Sequence, residues 1–403
     1  MFALGEKILL QRAHEYISTY KPILIGVTGA SGKTLVVKAI AEALSNTYRV
    51  RAAASDGSRP RDIAAAILGV SHASKRSWVK ILVGSKRREI AQAEPQVIVV
   101  ECNAYLPGDM GRIASAIPFT HAVVVNTGTI HADIFPTKES AAHELTALAS
   151  SLPKEGVAIL NLDDALIAAN RPRLMCRHIT FGADPHADVR LMRADRISVA
   201  GFIGQISVQN KPYEFSVQHF VGRHQLDAIL AALTVVHALG LNIQEAIQAL
   251  RSLPLPPGRM NIGEGKHNAT IIDDSHDATP ESMHLALKTL AALPADLPHS
   301  REISPRRIAI LGDISDLGPQ SIHVHESIGD AAARICQVFI AVGNQMKHAQ
   351  AAALKRGGVD THHFQTSADV GKWLSDYLQP GDIVLVKGSR QMQMEKVTEA
   401  LRN

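Results

Sequence analysis

The segment Gly26-Val27-Thr28-Gly29-Ala30-Ser31-Gly32-Lys33-Thr34 constrains this chain more than any other. A short apolar run, Ile23-Leu24-Ile25, precedes it, and a helical pattern from Leu35 to Leu44 follows. In a strand, glycine-rich turn and helix of this kind, backbone N–H groups converge on phosphate oxygens and the helix N-terminus adds partial positive charge. The spacing predicts that Lys33 reaches the β- and γ-phosphates of a nucleotide and that the Thr34 hydroxyl ligates Mg²⁺. The plainer alternative is an ordinary glycine turn before a helix. Gly32-Lys33-Thr34 in this strand–helix context argues against it. Val27 sits where the first glycine of the strict GxxxxGK[ST] spacing belongs.

The 403 residues suffice for two or three domains, and 46% hydrophobic with 20% charged residues is an ordinary globular balance. A net charge of +4 makes no case for nucleic acid and suits an anionic substrate. Cys102, Cys176 and Cys336 show neither metal spacing nor pairing, which fits a reducing cytoplasm. No apolar run approaches about 18 residues, so no membrane span is expected. Met1 to Lys21 lacks a signal-peptide core. Most of the 19 histidines are isolated and read as surface or core residues.

Residues 6–19 read as one amphipathic helix with Ile8, Leu9, Ala13, Tyr16 and Ile17 on one face. Apolar runs at 95–100, 121–125 and 157–160 read as buried parallel strands that end at Glu101, Asn126 and Asn161. Such strand ends are where α/β proteins bind ligands. Helical patterns cover 140–150 and 226–239, and the stretch from about 178 to 220 alternates like small antiparallel strands. Leu253-Pro254-Leu255-Pro256-Pro257-Gly258 breaks the chain. Beyond it, strands recur near 271–272, 308–311, 338–342 and 383–386, without a second phosphate loop. Residues 294–306 or so, rich in proline and charge, read as an exposed loop. The expected fold is α/β: an N-terminal helix over 1–21, a P-loop-type central ATP-binding domain over 22–255 with a mostly parallel sheet, and a Rossmann-like domain over 256–403.

Further segments complete the pattern. They are Glu101 with Pro107-Gly108-Asp109, Asn126 to His131, Asn161-Leu162-Asp163-Asp164, Gly222-Arg223-His224 and Pro257-Gly258-Arg259-Met260. Ile272-Asp273-Asp274-Ser275, Leu311-Gly312-Asp313 with Asp316-Leu317-Gly318, and Val386-Lys387-Gly388-Ser389-Arg390 follow. In order and spacing, and nearly end to end, the chain resembles the Mur ligases. These ATP-dependent enzymes join an amino acid or peptide to a carboxylate. Within them it is most similar to the type that adds D-alanyl-D-alanine in peptidoglycan synthesis.

The resemblance implies that ATP phosphorylates a carboxylate and that an amine then attacks the acyl phosphate. Such chemistry needs charge neutralisation and alignment more than covalent help. ATP would lie against Thr28, Gly29, Ala30, Ser31, Gly32, Lys33 and Thr34, with Mg²⁺ held by Thr34, Glu101 and His131. Asn126 and Asn161 would read the adenine or orient water, or else cap the following turn. Arg259 would grip the phosphates when the domains close about the proline-rich break, and Asp274 would accept a ribose hydroxyl. Lys387 would face the acyl phosphate, so Lys33, His131 and Lys387 form the implied catalytic set. Surface ion pairing is the alternative for Arg259, Asp274 and Lys387. Asp313, His325 and Ser389 would line the substrate pocket.

Several positions depart from the family pattern. Members usually begin with a domain that holds the UDP end of the substrate; residues 1–21 are too few for one, so it is expected to be missing. A carbamylated lysine that bridges a second Mg²⁺ usually follows the matching histidine by about fourteen residues; here that position is Leu145, and Lys138 is the nearest lysine. Arg59-Pro60-Arg61-Asp62 replaces paired asparagines, His276-Asp277-Ala278-Thr279-Pro280 an asparagine-rich run, and Asp227 an asparagine. One Mg²⁺ is expected, with Glu144, the substrate or nothing in place of the missing charge. The expected partners are an anionic muramyl peptide and a dipeptide amine, with no nucleic acid, for a cytoplasmic monomer. A related ligase acting on polyglutamate or a cofactor carboxylate, and a non-catalytic nucleotide-binding relative, are the alternatives.

Overall fold

The computed structural model describes residues 2–53, 59–70, 94–293 and 305–402, so most of the expected 294–306 loop lies outside the described residues. Strands β1 (Ile23–Thr28), β2 (Val50–Ala53), β3 (Val97–Glu101), β4 (His121–Val124), β5 (Val157–Asn161), β6 (Arg177–Gly182), β7 (Val189–Ile197), β8 (Gly201–Val208) and β9 (Lys211–Gln218) form one sheet. Their order is β2-β3-β1-β4-β5-β6-β7-β8-β9. Strands β2 to β6 are parallel, and two residue pairs carry that sense into β7. Only β7, β8 and β9 make an antiparallel meander. This corrects the expectation for the 178–220 stretch: β6 extends the parallel sheet. Its inner half, Ile179 to Gly182, is continuously buried between layers.

Alternation along β1 sends side chains to two cores. Ile25 and Val27 pack with Leu35, Val36 and Ile40 of the helix Lys33–Leu44. Leu24 faces the opposite layer, which holds Leu9, Ala13 and Tyr16 of the helix Phe2–Tyr20 and Ile63 and Ile67 of the helix Pro60–Ile67. The first helix is therefore built into the central core, where each large apolar side chain contributes roughly 1.5–3 kcal/mol by burial. The Tyr16 hydroxyl donates to Glu94 Oε2 at 2.5 Å. Pro60 opens its helix at the first position, where a missing N–H costs nothing.

A second sheet has the order β10 (Asn261–Glu264), β11 (Thr270–Asp274), β15 (Ile383–Lys387), β12 (Arg307–Gly312), β13 (Val338–Val342), β14 (Asp360–Phe364). All its pairings are parallel except β10 with β11. The strands that sequence patterning overlooked, β2, β10 and β14, are all at sheet edges. An edge strand faces solvent along one side and needs no continuous apolar run. No helix among the described residues is long and apolar enough to cross a membrane, and the three cysteines are buried and unpaired.

This topology places the ligand-binding ends. The chain crosses from one side of β1 to the other between β3 and β4, so a crevice opens beyond the C-terminal end of β1. In the second sheet β15 lies between β11 and β12, which sets Lys387 beside Asp274 on one side and Leu311 on the other.

Packing in the second unit is tight where the helices Ser321–Ile335 and Met346–Arg356 meet. A Cβ on Gly329 would lie 1.9 Å from the Ala349 carbonyl oxygen. Gly329→Ala is expected to destabilise the protein by about 1–3 kcal/mol, lowering the urea midpoint without altering the slope. An unchanged midpoint would mean that the helices do not approach this closely.

Candidate active site

The phosphate-loop backbone takes conformations that suit glycine, with φ of 151° at Gly29 and 77° at Gly32. Asn126, just beyond β4, straps the loop. Its Oδ1 accepts from the Ser31 N–H at 3.0 Å, its Nδ2 donates to Ser31 O at 3.2 Å, and its carbonyl accepts from the Ala30 N–H at 3.1 Å. Asn126 thus holds the loop in place. No side chain caps the helix Lys33–Leu44, so its first N–H groups stay open to an anion.

The Lys33 ammonium arches back and donates to Gly29 O at 2.7 Å. Burial lowers its pKa, and the charge of Glu101 opposes that shift. Thr34 Oγ1 donates to Glu101 Oε2 at 2.9 Å, so hydroxyl and carboxylate lie together at the loop end. These hard oxygen donors suit Mg²⁺, with nucleotide oxygens completing the shell. Among the described residues no group of three or more His, Cys, Asp or Glu is placed to hold a metal ion by itself.

Two adjoining open cavities extend from the loop. The larger is bordered by Lys33, Glu101, His131, Leu145, Arg259 and Ser389, with Ser315 and Asp316 from the second unit. The smaller continues past Leu35, Val36 and Asn126 to His224, Asp227, Asp274 and Lys387. Arg259 borders both. His131, at φ 39°, has Nδ1 3.3 Å from Asp316 Oδ2 and its ring 5.0 Å from that of Tyr105.

Lys387 and Asp274 form a buried ion pair at 2.7 Å, not a surface one, and Lys387 Nζ also donates to Asp277 O at 2.7 Å. Burial raises the pKa of Asp274, and the charge of Lys387 opposes it. Asp274 Oδ2 faces Lys387 and Oδ1 accepts from the Met260 N–H at 3.2 Å, so the carboxylate orients the lysine at the wall of the smaller cavity.

Four further residues serve the framework. Asn161 is buried; it donates to Val125 O at 2.9 Å and accepts from the Asp163 N–H at 3.0 Å, the turn-capping alternative. Asp313 Oδ1 accepts from the N–H groups of Gln345 and Met346 at the start of a helix. His325 is fully buried and does not border the cleft; its Nε2 accepts from the Ile314 N–H at 3.1 Å, which shapes the loop that does. Ser389 borders the cleft while its Oγ accepts from the Ser315 N–H at 2.8 Å. Glu144 is also unavailable to a metal. Its two oxygens accept from the N–H groups of Gly108 and Met110, both at 2.7 Å.

Sequence reasoning quoted Asp316 within a motif without giving it a role, and it missed Glu281. Glu281 follows Thr279-Pro280, which reads only as a helix start, and nothing local in the sequence says that its carboxylate meets Thr129.

The architecture matches known proteins. The Mur ligase middle domain matches residues 27–236, and the Mur ligase, glutamate ligase domain matches residues 258–390. The UDP-N-acetylmuramoyl-tripeptide–D-alanyl-D-alanine ligase of Mycobacterium leprae is 25% identical, over 94% of this chain and 73% of its own length. That of Bacillus subtilis is 22% identical, over 98% and 79%. The crystal structure of MurF ligase from Thermotoga maritima in complex with ADP superposes with a TM-score of 0.78 at 22% identity, covering 98% of this chain and 83% of that one. Fold and site define an ATP- and Mg²⁺-dependent amide ligase with an α/β fold. The chain belongs to the Mur ligase family.

The smaller cavity yields a pH prediction. Burial, aided by the charge of Asp163 and opposed by Arg223, pushes the Asp227 carboxyl up to about 7. Burial and Lys387 hold His224 down at about 4, so it stays neutral from pH 5 to 8. Below about pH 4 both states hold this proton; from there to about pH 7 folded Asp227 keeps it while the unfolded chain releases it, so stability falls progressively over that interval and levels off above it. Asp227→Asn, an analogue of the neutral form, is expected to stabilise the protein clearly more at pH 8 than at pH 5. Urea unfolding at both values checks this; equal effects at the two would refute it.

Proposed function

We propose that this chain joins D-alanyl-D-alanine to the peptide carboxylate of a UDP-muramyl tripeptide at the expense of ATP. We read its central unit as P-loop-type and its second as Rossmann-like. One observation carries the reading: the phosphate loop with Thr34 and Glu101, and the Lys387–Asp274 pair from the other sheet, open onto adjoining cavities that share Arg259. The names of the relatives supply the substrates.

In this reading a substrate carboxylate oxygen attacks the γ-phosphorus of ATP, ADP leaves, and an acyl phosphate forms. The amine then attacks the acyl carbon. A C–N bond forms, the C–O bond to phosphate breaks, and a proton is released. Lys33 and Arg259 hold negative charge in place as it redistributes over the phosphoryl oxygens. Mg²⁺, when bound by Thr34, Glu101 and the nucleotide, neutralises further charge there. Lys387, fixed by Asp274 and the Asp277 carbonyl, presents an ammonium to the developing acyl phosphate. His131 contacts the phosphoryl oxygens from the opposite wall. Alignment of the three reactants supplies most of the acceleration.

The test is mass spectrometry of products after mixing protein, ATP, Mg²⁺, UDP-muramyl tripeptide and D-alanyl-D-alanine. The expected product has the combined mass less one water, with ADP and phosphate released, and Lys33→Ala abolishes it while the protein stays folded. Product from another carboxylate alone would replace the substrate assignment. Absence of ADP with every acceptor would favour a nucleotide-binding relative, the reading that Leu145 favours.

Leu145 is buried at the wall of the larger cavity and offers no ligand atom, and Glu144 is committed elsewhere. Turnover is therefore expected to ignore added bicarbonate, and a nucleotide-bound crystal should hold one Mg²⁺ per molecule by anomalous scattering with Mn²⁺ as substitute. Bicarbonate-dependent turnover or two metal sites would sink this expectation.

A further inference from the structure

We propose that Glu281 is a positioning residue that couples approach of the second unit to the placement of the phosphate loop and of the Thr129–His131 segment. The proposal rests on the ligase reading above only for its kinetic consequence. Glu281 lies in the first turn of the helix Pro280–Ala292, beyond the proline-rich break. Its Oε1 accepts from the Thr129 N–H at 3.2 Å and from Thr129 Oγ1 at 3.0 Å, and it lies 3.1 Å from Lys138 Nζ. Both partners belong to the connection that follows β4 in the central unit. Burial raises the pKa of Glu281. Its own backbone N–H, Lys138 and Thr129 outweigh that, so the carboxyl stays below its ordinary value and is charged at neutral pH.

The other oxygen, Oε2, is buried and has no hydrogen-bond partner among the described residues. It faces Gly128. A Cβ there would lie 3.2 Å from Glu281 Oε2 and 3.1 Å from the Ala30 side chain. A single glycine thus separates the carboxylate from the phosphate loop. The space left by the missing Cβ lies between Oε2 and the Ala30 side chain, so a shift of the helix Pro280–Ala292 toward the loop is limited by Gly128 and Ala30. The far half of the same connection is held separately. The Ala132 N–H donates to Asp316 O at 2.7 Å, and Gln320 Nε2 donates to Pro136 O at 3.3 Å.

Stability alone does not account for this arrangement. A buried carboxylate with one oxygen unsatisfied carries a desolvation cost, which an apolar residue would avoid. What the carboxylate supplies is direction. It accepts both donors of Thr129 at one point and fixes the start of the segment that ends at His131.

The experiment compares the full-length protein with Glu281→Ala, Glu281→Gln, Lys138→Ala and Gly128→Ala. Small-angle scattering with Mg²⁺ and a non-hydrolysable ATP analogue reads closure without any acceptor substrate, and steady-state kinetics read kcat and KM for ATP. Glu281→Ala is expected to melt near the parent temperature, to keep a larger radius of gyration with nucleotide, and to lose kcat by about tenfold or more while KM for ATP shifts less than about threefold. Glu281→Gln, whose amide oxygen still accepts from Thr129, should recover most of both. Lys138→Ala, on the exposed arm of the cluster, should change kcat by less than about twofold. Gly128→Ala, which displaces the carboxylate without removing it, should repeat the kcat loss and decides the matter if Glu281→Ala does not fold. Parent-like compaction and kcat in Glu281→Ala, or parent-like kcat in Gly128→Ala, would overturn the proposal. If the unaltered protein makes no product, the ligase reading fails, and the scattering comparison still decides the coupling.

Discussion

The site depends on a helix start left open. The first N–H groups of Lys33–Leu44 lack a side-chain cap, and a helix end without partners is tolerated only where water or a ligand supplies them. Asn126 makes this opening durable. By bonding both the N–H and the carbonyl of Ser31 it fixes the loop from β4, so the donors keep their aim before any anion arrives. Lys33 is held in the same way by Gly29 O. The loop is organised in advance, and organisation in advance is what electrostatic stabilisation of a developing charge requires.

The opposite wall follows the same logic with different chemistry. Lys387 is an ammonium in a buried place, where an unpaired charge would be prohibitively costly. Asp274, one strand away in register, offsets that cost and limits the directions in which Nζ can point. Each sheet thus sends one lysine to the cleft on the end of a rigid strand or loop. Arg259, at the junction of the two units, is the cation that borders both cavities and forms no ion pair among the described residues.

Much of this was legible in the sequence because parallel strands buried on both faces are written as uninterrupted apolar runs. The strands β1, β3, β4, β5, β12, β13 and β15 read directly, as did the phosphate loop and the polar residues at strand ends. Edge strands did not, because β14 reads Asp-Thr-His-His-Phe and one of its sides faces solvent. Side-chain roles were harder. Asp313 and His325 carry the chemistry of a site, yet backbone N–H groups 11 to 33 positions away claim them. Position at a strand end is visible in a sequence, but the direction of a carboxylate and its competing donors depend on tertiary packing. Glu281 failed for the converse reason: its role depends on Thr129 and Gly128, more than 150 positions earlier in the chain.

The helix Phe2–Tyr20 carries a consequence for how the chain is made. Its buried stripe of Leu9, Ala13 and Tyr16 is covered by the helix Pro60–Ile67, and Tyr16 closes onto Glu94. During synthesis the helix therefore leaves the ribosome with its apolar stripe bare. It waits for nearly a hundred residues to emerge before a native surface exists to receive it. Contacts of such long sequence separation form late and leave greasy surface exposed meanwhile. This segment thus settles only after the helix Pro60–Ile67 and Glu94 have followed it, and its docking reports that they are in place.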